Sequence, residues 1–147
     1  MNLKINTKSL VILAIYIISG ASYASSLEAP LFISGATKIN AEEVIEVVNK
    51  HPKLVIIDSR ITGDRKKGYI ESSISLPNTK TDCQSLSKVL PKKDAVAIFY
   101  CNGVKCGRSV DAIKIALKCG YKNLYWFRGG FEEWLQKDLP YINGWKE

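Results

Sequence analysis

The sequence predicts an α/β protein with a mostly parallel sheet that carries helices on both faces. Three observations predict this fold. Short apolar runs typical of buried strands occur at residues 54–57, 95–100 and 124–127. Apolar residues at helical spacing occur at 41–50 and again from 108 onward, between these runs. Finally, strands that alternate with helices along a chain build parallel sheets.

The first predicted helix covers residues 41–50. Asn40 and Glu43 have the spacing of a capping box, in which each side chain accepts a hydrogen bond from the other residue's backbone N–H. The apolar run 54–57 predicts a buried strand, because three of its four residues are β-branched. This strand ends at Asp58, which should therefore lie at a carboxyl end of the sheet.

The middle of the chain is predicted to contain a loop, two strands and a helix. Polar residues and two glycines make 59–73 a loop, and 74–77 is a short strand that a proline ends. Residues 86–90 have helical spacing, and Pro91 closes that helix. The apolar run 95–100 is the next buried strand, and it leads directly into a loop that begins with a cysteine.

The last part of the chain repeats the alternation. From Arg108 the apolar residues return to helical spacing, and Gly120 is the predicted C-terminal stop of this helix. Residues 124–127 are the third buried strand. Gly129 and Gly130 then turn the chain into a last short helix, in which Trp134 is expected to be a core residue, as is Trp126 on the strand.

Cys101 starts the loop 101–107, at the place where a parallel sheet binds ligands. Backbone N–H groups of a small-residue loop and of a helix N-terminus can hold an anion. These groups and the charge of Arg108 favour the reactive thiolate of Cys101, so the nucleophile needs no histidine base. The predicted substrate contacts come from the rest of the loop and the start of the helix: Asn102, Gly103, Val104, Lys105, Cys106, Gly107 and Arg108.

Residues 1–24 have the order of a secretory signal peptide: two lysines, an apolar run at 10–18 and then small residues. The apolar run is shorter than the roughly 20 residues that span a bilayer. We predict cleavage after Ala24, export to the periplasm or the medium, and no membrane attachment afterwards; an uncleaved anchor is the alternative. The remaining chain is divided into a lead segment (25–34), a domain (35–140) and a C-terminal tail (141–147).

The formal net charge is +7, from 21 Lys and Arg against 14 Asp and Glu. The lysines are spread along the chain, so we interpret them as a solvated basic surface that favours small anionic partners and not nucleic acid. Metal ligands are not predicted, because the chain has no CxxC pair and its one histidine, His51, is distant in sequence. His51 is expected to be solvent-exposed, and no cofactor is predicted.

Four cysteines remain in an exported chain: Cys83, Cys101, Cys106 and Cys119. An even number in such a chain suggests two disulfides. However, a mature domain of about 120 residues can build a core without them, and Cys101 and Cys106 share one loop. Cys119 is expected to be a buried packing residue. Cys83 is predicted in a polar loop, either free or paired.

Several segments in order resemble the rhodanese family, and together they cover about residues 35–140. In the first segment Asp58 and Arg60 keep the family's residue types, whereas Asp64 stands for a common Glu and Tyr69 for a common His. Four stretches carry the resemblance. The Asp-x-Arg element lies in 58–70, an Ile-x-x-Pro element in 74–77, the cysteine loop in 100–109, and a closing signature of Gly-Gly, Trp and Leu-Pro in 126–140.

The resemblance implies a sulfurtransferase that moves sulfane sulfur through a persulfide on Cys101. The implied donor is a small anion such as thiosulfate, or a persulfide, and the acceptor is thiophilic, either a small thiol or a protein. Asp58 and Arg60 are expected to support the site by orienting the neighbouring loop. The loop is about two residues longer than the family norm, and it looks like a subset with the pattern Cys-Asn-Gly-x-x-Cys.

The longer loop leaves three functions open. Cys106 either resolves the persulfide on Cys101 by forming a disulfide, or pairs with it as a redox switch, or only packs under the loop. The chain is therefore a sulfurtransferase, a thiol redox or sulfur-carrier protein, or a non-catalytic binding module with the same fold. Tyrosine phosphatases are disfavoured, because six residues rather than five separate Cys101 from Arg108.

Overall fold

The computed structural model describes residues 29–144. The predicted signal peptide (1–24) lies outside the described residues, as do 25–28 and 145–147. Within the described part, no helix has the length and apolar character needed to cross a bilayer.

Five strands and five helices alternate along the described chain, with one 3₁₀ turn at Asn78–Lys80. In chain order the elements are β1 (Ala36–Ile39), α1 (Ala41–Lys50), β2 (Val55–Asp58), α2 (Thr62–Arg65), β3 (Ile74–Ser75), α3 (Cys83–Val89), β4 (Val96–Tyr100), α4 (Arg108–Lys118), β5 (Asn123–Phe127) and α5 (Gly130–Gln136).

The strands form one sheet in the order β1-β5-β4-β2-β3, and every neighbouring pair is parallel. Strand β4 is central, and Tyr100 at its end is in register with Asp58 of β2 and Phe127 of β5. The carboxyl ends of all five strands therefore lie at the same edge of the sheet. This confirms the predicted α/β fold with a mostly parallel sheet.

Helices cover both faces of the sheet, as the sequence predicted. Strand β4 shows the division, because Phe99 belongs to the core beneath α3 and α4, whereas Tyr100 belongs to the core beneath α1 and α5. Leu86 of α3 and Ile113 of α4 are fully buried in the first core. Val44 of α1 is buried in the second, which also contains Trp134 of α5.

The termini of two helices follow their predicted chemistry. Asn40 accepts from the N–H of Glu43, and the Glu43 carboxylate accepts from the N–H of Asn40, at 2.9 and 2.7 Å. At the end of α4, Gly120 has a φ of +87°. Its N–H donates to Leu117, and the N–H of Tyr121 donates to Ala116, which is the hydrogen-bond pattern of a Schellman motif.

Two elements differ from the predictions. Strand β1 was not predicted, because its residues Ala36–Ile39 include only one that is buried, and a short polar edge strand carries little apolar pattern. Residues 59–73 were predicted as a loop, but Thr62–Arg65 form one helical turn there. In this turn Asp64 and Arg65 are half-buried, and their side chains pair with Arg108 and Asp58, respectively.

The predictions for Cys83 and Cys119 need correction. Cys83 is the first residue of α3 and not part of a loop, because Asp82 and Ser85 form a capping box around it. Cys119 caps the end of α4 and packs against the core beneath α3 and α4, as predicted, but it is half-buried rather than buried. The two cysteines form a disulfide with a Cα–Cα distance of 5.5 Å, which joins α3 to α4.

Both ends of the described chain pack against the domain. Ala29 and Ile33, from the predicted lead segment, are buried in the core beneath α3 and α4. Ile142, from the predicted tail, exchanges backbone hydrogen bonds with Tyr69 at 2.9 Å in each direction.

Candidate functional site

Cys101 lies at the carboxyl end of the central strand β4 and starts a loop that runs to Gly107. It is only 2% exposed. The strand places Cys101 directly after Tyr100, whose ring is fully buried, so the position of the cysteine is set by the sheet and not by the loop. This is the position at which parallel sheets bind ligands.

The first turn of α5 holds the backbone of the loop. The N–H of Phe131 donates to the carbonyl of Cys101 at 2.9 Å, and the N–H of Glu132 donates to that of Asn102 at 2.7 Å. Gly130 has a φ of +60°, and a Cβ there would collide with the Cys101 carbonyl oxygen. Because glycine alone accepts this close approach in a left-handed conformation, Gly130 allows α5 to orient Cys101.

The outer part of the loop is held by the chain before β1. The N–H of Ala29 donates to the carbonyl of Val104 at 2.7 Å. Arg128, just after β5, fixes this segment by donating to the carbonyls of Ala29 and Pro30, each at 2.9 Å. Sequence reasoning missed both contributions, because nothing in the local pattern relates Arg128 to residues 98 and 99 positions earlier in the chain, or Ala29 to the distant Val104.

The cysteine loop uses one of its backbone N–H groups internally and, within the part of the chain that the structure describes, leaves three others without a protein acceptor. The N–H of Cys106 donates to the carbonyl of Gly103 at 2.9 Å, so it is used within the loop. Among residues 29–144, no protein acceptor pairs with the N–H groups of Gly103, Val104 or Lys105. These donors are available to an anion or to a sulfur atom bound in the loop.

Cys106 forms a disulfide with Cys101, across a Cα–Cα distance of 6.1 Å. The structure therefore contains the Cys101–Cys106 bond that both a persulfide-resolving role and a redox switch would form. Cys106 is half-buried, in contrast to Cys101. Because Cys101 and Cys106 lie in the same loop, forming or breaking their disulfide determines whether Cys101 has a free thiol.

Arg108 lies beside Cys106. Its Nη1 is 3.8 Å from the Cys106 Sγ and 3.4 Å from the Asp64 carboxylate. The Asn102 side chain also donates to Asp64, at 2.9 Å. The predicted positive charge of Arg108 is therefore present at the loop, but Asp64 of α2 partly neutralises it.

An open cleft of about 460 Å³ lies over the loop. Five predicted loop residues and Arg108 line it: Asn102, Gly103, Lys105, Cys106, Gly107 and Arg108. Asp111 and Glu132 complete the lining, and sequence reasoning did not identify either of them. Both are in the first turn of a helix, where acidic residues are common, so their position in sequence carried no sign of a site.

A buried polar network lies beneath the loop. The Asp58 carboxylate accepts from the guanidinium of Arg60 at 2.9 and 2.6 Å, and from the Tyr100 hydroxyl at 2.7 Å. Arg65 also donates to Asp58, at 3.1 Å. Asp58 and Arg60 are 0% and 2% exposed, so this paired carboxylate is not accessible to a substrate.

The charges of this network are held in place by one another. Burial by itself would raise the pKa of Asp58, but the hydrogen bonds and charge of Arg60 outweigh it and hold that pKa below its usual value. Burial and the charge of Asp58 together raise the pKa of Tyr100 well above its usual value. The Arg60 guanidinium lies 4.4 Å from the ring centroid of Phe131, which connects the network to α5. The network thus contacts the helix whose first turn holds the Cys101 carbonyl.

His51 is remote from this site. It caps the end of α1 and lines a cleft with Val55 and Val96, the first residues of β2 and β4, at the amino end of the sheet. Its side chain is half-buried, so the predicted exposure was wrong in degree. Within residues 29–144 there is also no cluster of His, Cys, Asp and Glu residues that could hold a metal ion.

Comparison with known proteins gives a consistent match. The sequence profile of the rhodanese-like domain matches residues 40–137. The rhodanese domain-containing protein CG4456 of Drosophila melanogaster is 31% identical over 108 residues, which cover 66% of this chain and 95% of that protein.

Solved structures show the same fold. The BH2092 protein of Bacillus halodurans superimposes with a TM-score of 0.65 at 22% identity, over 75% of this chain and 79% of that one. The thiosulfate sulfurtransferase of Pseudomonas aeruginosa superimposes with a TM-score of 0.62 at 21% identity, over 74% of this chain and 20% of that one.

Proposed function

Because this chain belongs to the rhodanese-like domain family, we propose that it is a sulfurtransferase in which Cys101 carries sulfane sulfur as a persulfide. The observation that carries the proposal is the placement of Cys101. It follows the central strand, and α5 fixes its carbonyl at 2.9 Å. The loop N–H groups of Gly103, Val104 and Lys105 can stabilise the terminal sulfur anion of a persulfide.

The transfer consists of two displacements at sulfur. The Cys101 thiolate attacks the sulfane sulfur of the donor, an S–S bond forms, and the donor's own S–S bond breaks. With thiosulfate the leaving group is sulfite, which departs with the bonding electron pair; with a persulfide donor it is a thiolate. A thiolate acceptor then attacks the terminal sulfur, which restores the Cys101 thiolate. The reaction moves neutral sulfur, so no external oxidant or reductant is consumed.

The charges of the cleft bear on the donor. Lys105 and Arg108 attract an anion, and they favour a thiosulfate-like donor. Asp111 and Glu132 line the same cleft and repel a second negative charge. A persulfide or another donor with a single negative charge meets less repulsion than thiosulfate does, so we propose that both are accepted and that the persulfide is preferred.

Intact-mass measurement tests this function. The reduced protein, without residues 1–24, is incubated with thiosulfate or with a low-molecular-weight persulfide, and the mass gain of one sulfur atom is recorded. Cys101→Ser should abolish the gain, whereas Cys106→Ser serves as the matched control and should retain it. If no donor gives a mass gain that depends on Cys101, the sulfurtransferase proposal is rejected and a non-catalytic binding module is favoured.

A thiol redox function is the second candidate, and the Cys101–Cys106 disulfide favours it. In this function the loop pair exchanges two electrons with a partner thiol, and each turnover converts the dithiol to the disulfide or back. Alkylation of free thiols after equilibration in glutathione buffers of defined ratio measures this exchange. A loop pair that stays reduced in oxidising buffer rules the redox function out and leaves the sulfur transfer intact.

We also propose that the protein is exported. Two disulfides among the described residues support this, because disulfides persist in oxidising compartments such as the periplasm. Cell fractionation and the N-terminal sequence of the isolated protein provide the test. We expect a chain that starts at Ser25 outside the cytoplasm; a cytoplasmic chain that starts at Met1 would contradict the proposal.

A further inference from the structure

The two sulfurs of the loop disulfide differ in accessibility. Cys101 is 2% exposed, and the first turn of α5 holds its carbonyl. Cys106 is half-buried and lines the open cleft of about 460 Å³. A reagent that enters the cleft therefore meets Cys106 before Cys101.

We propose that, in the disulfide state, a small thiol attacks the loop disulfide at Cys106 and releases Cys101. This inference rests on the proposed function, since it describes how the nucleophile of that function is uncovered. The thiolate attacks the Cys106 Sγ, a new S–S bond forms between them, and the Cys101–Cys106 bond breaks. The bonding electrons leave with Cys101 as a thiolate, and Cys106 carries the thiol as a mixed disulfide.

Attack at a disulfide depends on access to the sulfur and on the leaving thiolate. Arg108 lies 3.8 Å from the Cys106 Sγ, and its positive charge attracts an anionic thiolate to this atom. Arg108 would also stabilise Cys106 as a leaving group if Cys101 were attacked. Access decides between the two directions, because attack requires the nucleophile to approach in line with the S–S bond, and Cys101 is covered.

The released Cys101 is in the right chemical state for sulfur transfer. It leaves as a thiolate, at the base of a loop whose N–H groups at Gly103, Val104 and Lys105 are available to a negative sulfur. A second thiolate then attacks the small thiol's sulfur in the mixed disulfide, the bond to Cys106 breaks, and Cys106 leaves as a thiolate with the bonding electrons. This step forms the disulfide of the small thiol and completes the two-electron reduction. In the disulfide state Cys101 is therefore blocked as a nucleophile, and attack of a thiol on Cys106 restores its thiolate.

A brief thiol pulse tests the direction of attack. The mature protein is oxidised until its intact mass shows both disulfides, exposed briefly to 2-mercaptoethanol, and quenched with excess iodoacetamide. Cleavage after lysine places each cysteine on its own peptide: 81–88, 94–105, 106–114 and 119–122. Peptide mass spectrometry then shows which cysteine carries the mercaptoethanol and which carries the alkyl group.

We expect the mercaptoethanol adduct on peptide 106–114 and the alkyl group on peptide 94–105, where Cys101 lies. An adduct mainly on 94–105, or equally on both, overturns the inference, and so does a loop disulfide that cannot be formed. The sulfur-loading experiment with reduced protein is independent of this result. If the adduct is not mainly on peptide 106–114 but the reduced protein still gains sulfur on Cys101, only the proposed attack at Cys106 is rejected. If the adduct is on peptide 106–114 but no sulfur is gained on Cys101, only sulfur transfer is rejected.

Discussion

Replacing Cys83 and Cys119 together with alanine removes the disulfide that joins the start of α3 to the end of α4. The two residues are separated by 36 positions, and closing a loop of that length costs the unfolded chain about 4 kcal/mol of conformational entropy. The same relation gives about 2 kcal/mol for the Cys101–Cys106 pair, with a separation of 5. The helix-to-helix disulfide is therefore expected to contribute about twice as much stability as the loop disulfide.

Urea unfolding of the oxidised protein measures both contributions. The Cys83→Ala/Cys119→Ala double variant should lose about 4 kcal/mol, a large part of the roughly 5–15 kcal/mol typical of a domain. Its m-value should rise, because an unfolded chain without the cross-link exposes more surface. The matched control, Cys101→Ala/Cys106→Ala, should lose about 2 kcal/mol and show a smaller rise in m.

The order of the two losses is the decisive result. If the Cys101/Cys106 double variant were destabilised as much as the Cys83/Cys119 double variant, the reasoning from loop length would be refuted. A loss below about 1 kcal/mol for the helix-to-helix disulfide would refute it as well, since that is a small fraction of the entropy of closure.

The buried network and the α5 contact give further predictions. Asp58→Asn should cost roughly 3–5 kcal/mol in urea unfolding, because Arg60 would remain buried without its partner charge. Because the pKa of Asp58 is lowered in the native state, the ionised carboxylate stabilises the fold. This contribution to the free energy of unfolding is present above the ordinary carboxyl pKa of about 4, and it is lost as the pH falls through the lower native pKa. Acid titration of stability should therefore be steeper below about pH 4 in the native sequence than in Asp58→Asn, and equal slopes would contradict this. Gly130→Ala should cost about 1–3 kcal/mol and reduce sulfur loading of Cys101, because its Cβ would collide with the Cys101 carbonyl. Gly63→Ala has open space around it and should leave both measurements near their original values; a similar loss in the two variants would count against the proposed role of Gly130.

Much of the fold was predictable because the apolar pattern is local. The strands at 55–58, 96–100 and 123–127 and the helix at 41–50 agree with the predictions to within one residue at each end. Strand β1 was not predictable from its own residues: its pairing partner, β5, lies almost 90 positions away and supplies the hydrogen bonds. The disulfide pairing of Cys83 likewise depends on how α3 packs on α4, which no spacing in sequence encodes.

The candidate site was predictable where it depends on chain order and not where it depends on packing. The placement of Cys101 at a strand end follows from the run that precedes it. The role of Gly130, in contrast, arises from the contact between α5 and the loop, and a Gly-Gly pair indicates only a turn. Asp64 was singled out as a family variation, but its pairing with Arg108 follows from the helical turn that sequence reasoning assigned to a loop.

The hydrogen bond from Ala29 to Val104 has a practical consequence for protein engineering. A shortened version cut to the residues that match the family profile, 40–137, would keep the cysteine loop and the buried network. It would lose Ala29, the main-chain support of the outer loop, and also β1, so that the edge of β5 would be open to pairing with other chains. We therefore expect the smallest unit that folds and reacts like the whole protein to begin at or before residue 29.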